Sequence, residues 1–192
     1  MALTVAKDNT YSKIILGIDP GTSIAGYGVI GVIGNSLHLI SMGIFDLRKE
    51  INHAMKLQSI YDQCSKLIST YLPDEFAIEA PFFGKNPQSM LKLGRAQGVS
   101  MAAALNRNIP IFEYSPRRVK QSITGNGNAS KEQVAAMVQT LLKLDKNHSK
   151  FDATDAVAIA ICHYFMYKPG MPTTENYGSW KSFISKNPDK LK

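Results

Sequence analysis

The stretch Ile14-Ile15-Leu16-Gly17-Ile18 is followed at once by Asp19-Pro20-Gly21-Thr22. Five non-polar residues in a row read as a short strand buried on both faces, and Pro-Gly cannot continue a ladder, so the strand stops there. Asp19 is thereby placed at the carboxyl end of a central strand. Ligands of open α/β sheets bind at that edge, and an ionised carboxylate beside a dry core needs donors or a cation to offset its desolvation. An aspartate that merely caps a Pro-Gly turn would look the same locally. The rest of the chain decides between the two.

Downstream, strands give way to alternating helices and strands. Ala25 to Ile33 and Leu37 to Leu47 are rich in Val, Ile and Gly and flank Gly34-Asn35-Ser36, so the first three strands are expected to form an antiparallel meander. From Ile51 to Leu72 the residues Met55, Leu57, Ile60, Tyr61, Cys64, Leu67, Ile68 and Tyr71 recur at helical spacing, and Pro73 ends the run. Phe76-Ala77-Ile78-Glu79-Ala80 is a short strand halted by Pro81, which brings Glu79 to a strand end as Asp19 is. A loop from Phe82 to Pro87 leads into a helix reaching about Arg107. Its small residues Gly94, Ala96, Gly98, Ser100, Ala102, Ala103 and Ala104 admit a close neighbour, either the sheet or a second subunit.

Ile109 to Tyr114 is another strand, and Ser115-Pro116 caps a short helix carrying Arg117, Arg118 and Lys120. Ser130-Lys131-Glu132-Gln133 is a capping box opening a helix to about Leu144. Lys131 there opposes the helix dipole, which an anion docked beside it would explain. Phe151 to about Tyr167 is a nearly all-apolar helix with Asp152 and Asp155 on one face of its first turn. Those acids are either solvated groups at a helix N-terminus or are held at the edge of the core. Residues 1–12 are expected to be a disordered leader, 13–167 one domain, and 168–192 an extension whose Trp180, Phe183 and Ile184 anchor on the domain or on DNA.

The chain has 192 residues, enough for one well-buried domain. No apolar run is long enough to span a bilayer, and the N-terminus carries no export signal, so a soluble cytoplasmic protein is expected. Cys64 and Cys162 lack metal-ligand spacing and read as buried, reduced thiols. Charge is the more informative quantity. The formal net charge is +7, and the window from Lys85 to Lys131 holds eight cations against the single anion Glu113, so all of the excess lies there. A solvated face mixes signs, whereas a one-sign block suits phosphates.

Strands, then helices, with acids on the first strand, the fourth strand and the last helix, is the layout of the ribonuclease H-like α/β nucleases, with antiparallel strands one to three, further parallel strands and helices on both faces. The strings Gly17-Ile18-Asp19-Pro20-Gly21-Thr22, Ala77-Ile78-Glu79, Leu91-Lys92-Leu93-Gly94-Arg95-Ala96-Gln97-Gly98-Val99 and Asp152-Ala153-Thr154-Asp155-Ala156-Val157-Ala158 closely resemble the RuvC family of Holliday junction resolvases, over about Lys13 to Tyr167. The resemblance implies a homodimeric Mg2+-dependent endonuclease that nicks opposed strands of a four-way DNA junction symmetrically, in recombination and repair, with branch-migration motors as further partners. It implies that Asp19, Glu79, Asp152 and Asp155 bind metal, that Phe82 inserts at the junction, that Lys120 and Lys131 lie near the scissile phosphate, and that the helix after Pro87 forms the dimer. Ala80-Pro81 departs from the family pattern, as do the leader and the tail.

The chemistry is consistent with that expectation. Phosphodiester hydrolysis needs a deprotonated water and a stabilised 3′ leaving oxygen, and two Mg2+ ions, with Mn2+ able to substitute, serve both. Hard cations take oxygen ligands, which suits four carboxylates. The expected DNA contacts are Phe82, Phe83, Lys85, Lys92, Arg95, Arg117, Arg118, Lys120 and Lys131. The two phenylalanines are equally compatible with a core position or with base stacking, and His163 with a packed core residue or a base. Two other classes compete: an ATP-binding domain of the sugar kinase, actin and heat-shock type, which also uses an Asp-x-Gly-Thr turn, and a junction-binding module without catalysis.

Overall fold

The computed structural model describes residues 10–80, 86–144 and 151–167, the side chains of Phe151 and Asp152 excepted. At its centre is β1 (Lys13–Asp19), whose residues are buried from Ile14 to Ile18. It pairs antiparallel with β2 (Ile24–Ile33), which pairs antiparallel with β3 (Ser36–Asp46). On its other side β1 pairs parallel with β4 (Glu75–Glu79), and β4 with β5 (Ile111–Tyr114), giving a five-stranded sheet of order β3-β2-β1-β4-β5.

Alternation along β1 divides the core. Ile14, Leu16 and Ile18 face one side with Phe76 and Ile78, covered by α1 (His53–Tyr71) and α2 (Pro87–Leu105). Ile15 and Ala77 face the other, covered by α3 (Pro116–Thr124), α4 (Lys131–Leu142) and α5 (Phe151–Met166). Each fully buried aliphatic side chain contributes about 2 kcal/mol of transfer free energy, so a strand apolar on both faces holds the two layers together. Of the helical apolar positions before Pro73, Ile60, Cys64 and Ile68 are buried, while Met55 is 43% exposed.

The helices begin where side chains can cap them. Ser115 accepts from the Arg118 N–H, and Ser130 and Gln133 form the reciprocal capping box. α1 ends at Leu72, whose φ of 47° is left-handed, before Pro73. α5 lies directly on the sheet because Gly17 and Gly28 offer no side chain there: a Cβ on Gly17 would lie 2.9 Å from the Ala160 nitrogen and closer still to the Ala156 carbonyl. Tyr11 packs its ring against Gly31, and the Ser12 hydroxyl and N–H both donate to the Val32 carbonyl, so these two residues join the domain rather than a leader. Cys64 and Cys162 are free and buried, and burial pushes the Cys64 thiol up to about 12.

Candidate active site

β1 ends at Asp19, before Pro20, and β4 ends at Glu79 at the same end of the sheet. The register Ile18↔Ile78 sets Asp19 and Glu79 side by side on neighbouring strands, at a lateral spacing of about 4.8 Å. Odd-numbered residues of both strands point to the α5 side, where Ile15 and Ala77 already lie, so both carboxylates project toward that helix. α5 runs back across the sheet and presents Asp155 from its first turns. The result is a cavity of about 250 Å³ lined by Asp19, Glu79 and Asp155 together with Lys120 of α3 and Lys131 of α4, with Pro116, Val119, Val134 and Ala158 as its apolar wall.

Among these groups the environment acts most clearly on Glu79. Burial first, and then the negative charge of Asp155, raises the Glu79 carboxyl to about 7, while Lys131 and Lys120 pull it back. The Lys131 ammonium donates to Asp155 Oδ2 at 2.8 Å. The anion expected beside this N-terminal lysine is thus a carboxylate of the protein itself. Among the described residues no group of three or more His, Cys, Asp or Glu converges as a preformed metal cage. Asp152 lies one turn before Asp155 on α5, with its side chain outside the described set. The donors nevertheless fit a hard divalent cation, since they are all carboxylate oxygens.

The other expected residues are placed as follows. Phe82, Phe83 and Lys85 lie outside the described residues. Lys92 and Arg95 are exposed on α2, away from the cavity, and Arg117 is exposed on α3 beside Gly127. Arg118 reaches the Met166 sulfur at 2.9 Å, toward the far end of α5, and does not line the cavity. His163 is completely buried at the opposite pole: Nδ1 pairs with the Tyr114 hydroxyl at 2.6 Å and Nε2 with Glu75 at 2.8 Å, while Glu75 also pairs with Lys13. It is a core residue. Its neighbours Glu75 and Tyr114 carry no signal in the sequence, because the contact joins a strand start, a strand end and a helix.

Asp19, Glu79 and Asp155 thus reach this sheet edge on β1, β4 and the last helix, beside two lysines. The model of the crossover junction endodeoxyribonuclease RuvC matches residues 15–163. The chain belongs to the RuvC family. It is similar to the crossover junction endodeoxyribonuclease RuvC of Bacteroides fragilis, 58% identical over 94% of this chain and 96% of that protein. It is also similar to that of Cytophaga hutchinsonii, 54% identical over 95% of this chain and 90% of that protein. Among solved structures, Thermus thermophilus RuvC in complex with a Holliday junction substrate superimposes with a TM-score of 0.75 at 30% identity, covering 80% of this chain and 93% of that one. The ribonuclease H-like fold of the RuvC family is therefore the fold of this chain, and membership decides against the ATP-binding alternative. No helix among the described residues is long and apolar enough to cross a membrane.

Proposed function

We propose that this chain is a structure-selective endodeoxyribonuclease that resolves four-way DNA junctions by symmetric paired nicking, in homologous recombination and DNA repair. The observation that carries the reading is the cavity in which Asp19, Glu79 and Asp155, from three separate segments, stand beside Lys120 and Lys131. Asp19, Glu79, Asp155 and, one turn earlier on α5, Asp152 would hold two Mg2+ ions, or Mn2+ in their place. When bound, such ions lower the pKa of a water and balance the charge of the leaving 3′ oxygen. Glu79, raised to about 7 by burial and by Asp155, gives up its proton as positive charge enters the cavity. Lys131 exchanges Asp155 for a phosphate oxygen when DNA docks, and Lys120 holds the same strand from α3, placing the phosphorus in line with the attacking water.

The exposed face of α2 favours a homodimer. Leu91 is 56% and Leu105 62% exposed, and between them Gly94 and Gly98 have open space where a Cβ would be. An apolar stripe with small residues at its middle suits the same helix of a second copy, so that two active sites address two opposed strands. Lys92 and Arg95 on this helix, Arg117 and Arg118 on α3, and Phe82, Phe83 and Lys85 in the segment between β4 and α2 are assigned to the DNA arms. Branch-migration motors as partners and a cytoplasmic location accord with this role.

The test is a labelled mobile four-way junction, with linear duplex alongside, incubated with Mg2+ and then with EDTA. Wild-type protein should nick two opposed strands of the junction to ligatable ends in Mg2+ alone. Asp155→Asn should bind the junction with unchanged affinity and leave it uncut; nicking at the wild-type rate by that variant removes the assignment.

A further inference from the structure

Gln97 lies on the inner side of α2 and is only 6% exposed, an unusual place for a primary amide. Its Nε2 donates to two acceptors on two strands: the Glu79 main-chain carbonyl at 3.3 Å and Glu113 Oε2 at 2.7 Å. The first acceptor lies at the very end of β4, where ladder donors run out. Because the Ala80 N–H turns to β5, the Glu79 carbonyl faces β1, and continuing that register past Asp19 the next N–H would come from residue 20, which is proline. A buried carbonyl without a donor costs about 1–3 kcal/mol and leaves the strand end loosely held. The Ala80 N–H still bonds the Tyr114 carbonyl at 2.8 Å, so one side of this peptide is fixed by β5 and the other by Gln97.

The second acceptor explains why a glutamine rather than another donor is steady there. Glu113 is the one anion in the basic window, and its side chain reaches back from the edge strand to hold the amide at short range. Gln97 thus ties α2 to β4 and β5 at once, one peptide from the carboxylate of Glu79. No local pattern gave its role, because its two partners lie 18 and 16 residues away on different strands.

We infer that Gln97 is a positioning residue for Glu79: through the strand-end carbonyl it sets where that carboxylate stands in the cavity. The inference rests on the reading of Glu79 as a metal-binding acid. Loss of such a supporting hydrogen bond typically lowers metal affinity or activity by about 10–100-fold. It also gives α2, whose outer stripe faces the second copy, a direct link to the cavity.

The experiment compares wild type with Gln97→Met, which keeps the volume and removes both donors, and Gln97→Lys, which restores a donor that a carbonyl and a carboxylate both accept. Three quantities are measured on the full chain: junction affinity in EDTA, single-turnover cleavage in Mg2+, and Mn2+ affinity by electron paramagnetic resonance without DNA. Gln97→Met should keep junction affinity within about twofold, while cleavage and Mn2+ affinity each fall by about tenfold or more, and Gln97→Lys should recover most of both. Wild-type cleavage and Mn2+ affinity in Gln97→Met overturn the inference, as does a loss of junction affinity as large as the loss of rate. Should Gln97→Met fail to fold, Glu113→Ala removes an exposed anchor only and should lower Mn2+ affinity in the same direction; no change there overturns the inference equally. Glu79→Gln run in parallel separates the two readings, since normal cleavage by that variant sinks the role of Glu79, whereas an inactive Glu79→Gln beside a normal Gln97→Met sinks only that of Gln97.

Discussion

Replacing Gly17 by alanine adds one methyl group where β1 meets α5, two residues before Asp19. That methyl would stand 2.9 Å from the Ala160 nitrogen and 3.0 Å from its Cβ, and nearer still to the Ala156 carbonyl, all of them helix atoms that cannot rotate away. Ordinary contact between such atoms is about 3.5–4.0 Å, so α5 has to lift from the sheet by roughly half to one ångström. Overpacking of this kind costs about 1–3 kcal/mol, which in a protein of this size lowers Tm by about 2–4 °C per kcal/mol. The functional effect should exceed the thermal one, because α5 carries Asp155 and β1 carries Asp19, and misplacement by about 1 Å can cost about 10²-fold in rate. Thermal unfolding by circular dichroism and single-turnover junction cleavage read the two effects. Gly17→Ala with wild-type Tm and wild-type rate would refute the claim that this close approach sets the cavity.

Further predictions concern charge. The folded protein holds a proton on Glu79 up to about 7, whereas the unfolded chain releases it near 4.5, so protonation favours the fold at low pH and that contribution disappears as pH rises through 7. At about 1.4 kcal/mol per pH unit this is worth about 3 kcal/mol; in EDTA, Glu79→Gln should be more stable than wild type at pH 8 by several degrees in Tm and equal to it at pH 4, and the reverse order would contradict the burial argument. His163 behaves oppositely to an ordinary exposed histidine: burial lowers its pKa despite Glu75, so the stability it contributes is present above 6.5 and lost as pH falls below that value. His163→Gln should flatten the acid side of the stability profile below pH 6.5, as read by urea titration at each pH. Lys131→Ala should slow cleavage and reduce the salt dependence of junction binding by about one unit of slope; an unaltered slope speaks against a phosphate contact.

Much of this molecule was legible before any coordinates. The strand positions of Asp19 and Glu79 followed from prolines placed just after them, because a residue without an N–H ends a ladder wherever it occurs. Local caps were equally readable, as Ser130 and Gln133 demonstrate. What was not legible depends on convergence in space. Lys131 read as a cation awaiting an anion, and the anion turns out to be Asp155, 24 residues away on another helix. β4 begins at Glu75 rather than Phe76 because Glu75 already pairs with Ile15 of β1, a partner 60 residues away. β5 begins at Ile111 rather than Ile109, since Asn108 turns with a φ of 54° and Pro110 follows. Gln97 stood in the sequence only as one member of a longer string, since its role depends on a strand-end carbonyl that Pro20 cannot serve.

The central claim is that carboxylates from β1, β4 and α5 form one divalent-cation pocket. Anomalous diffraction from crystals of the full chain grown with Mn2+ tests it most directly. The account predicts manganese density inside the cavity, in contact with Asp19 and at least one of Glu79 and Asp155, and lost in Asp19→Asn. Manganese bound only elsewhere on the molecule, in a preparation that cuts four-way junctions in solution, would contradict it.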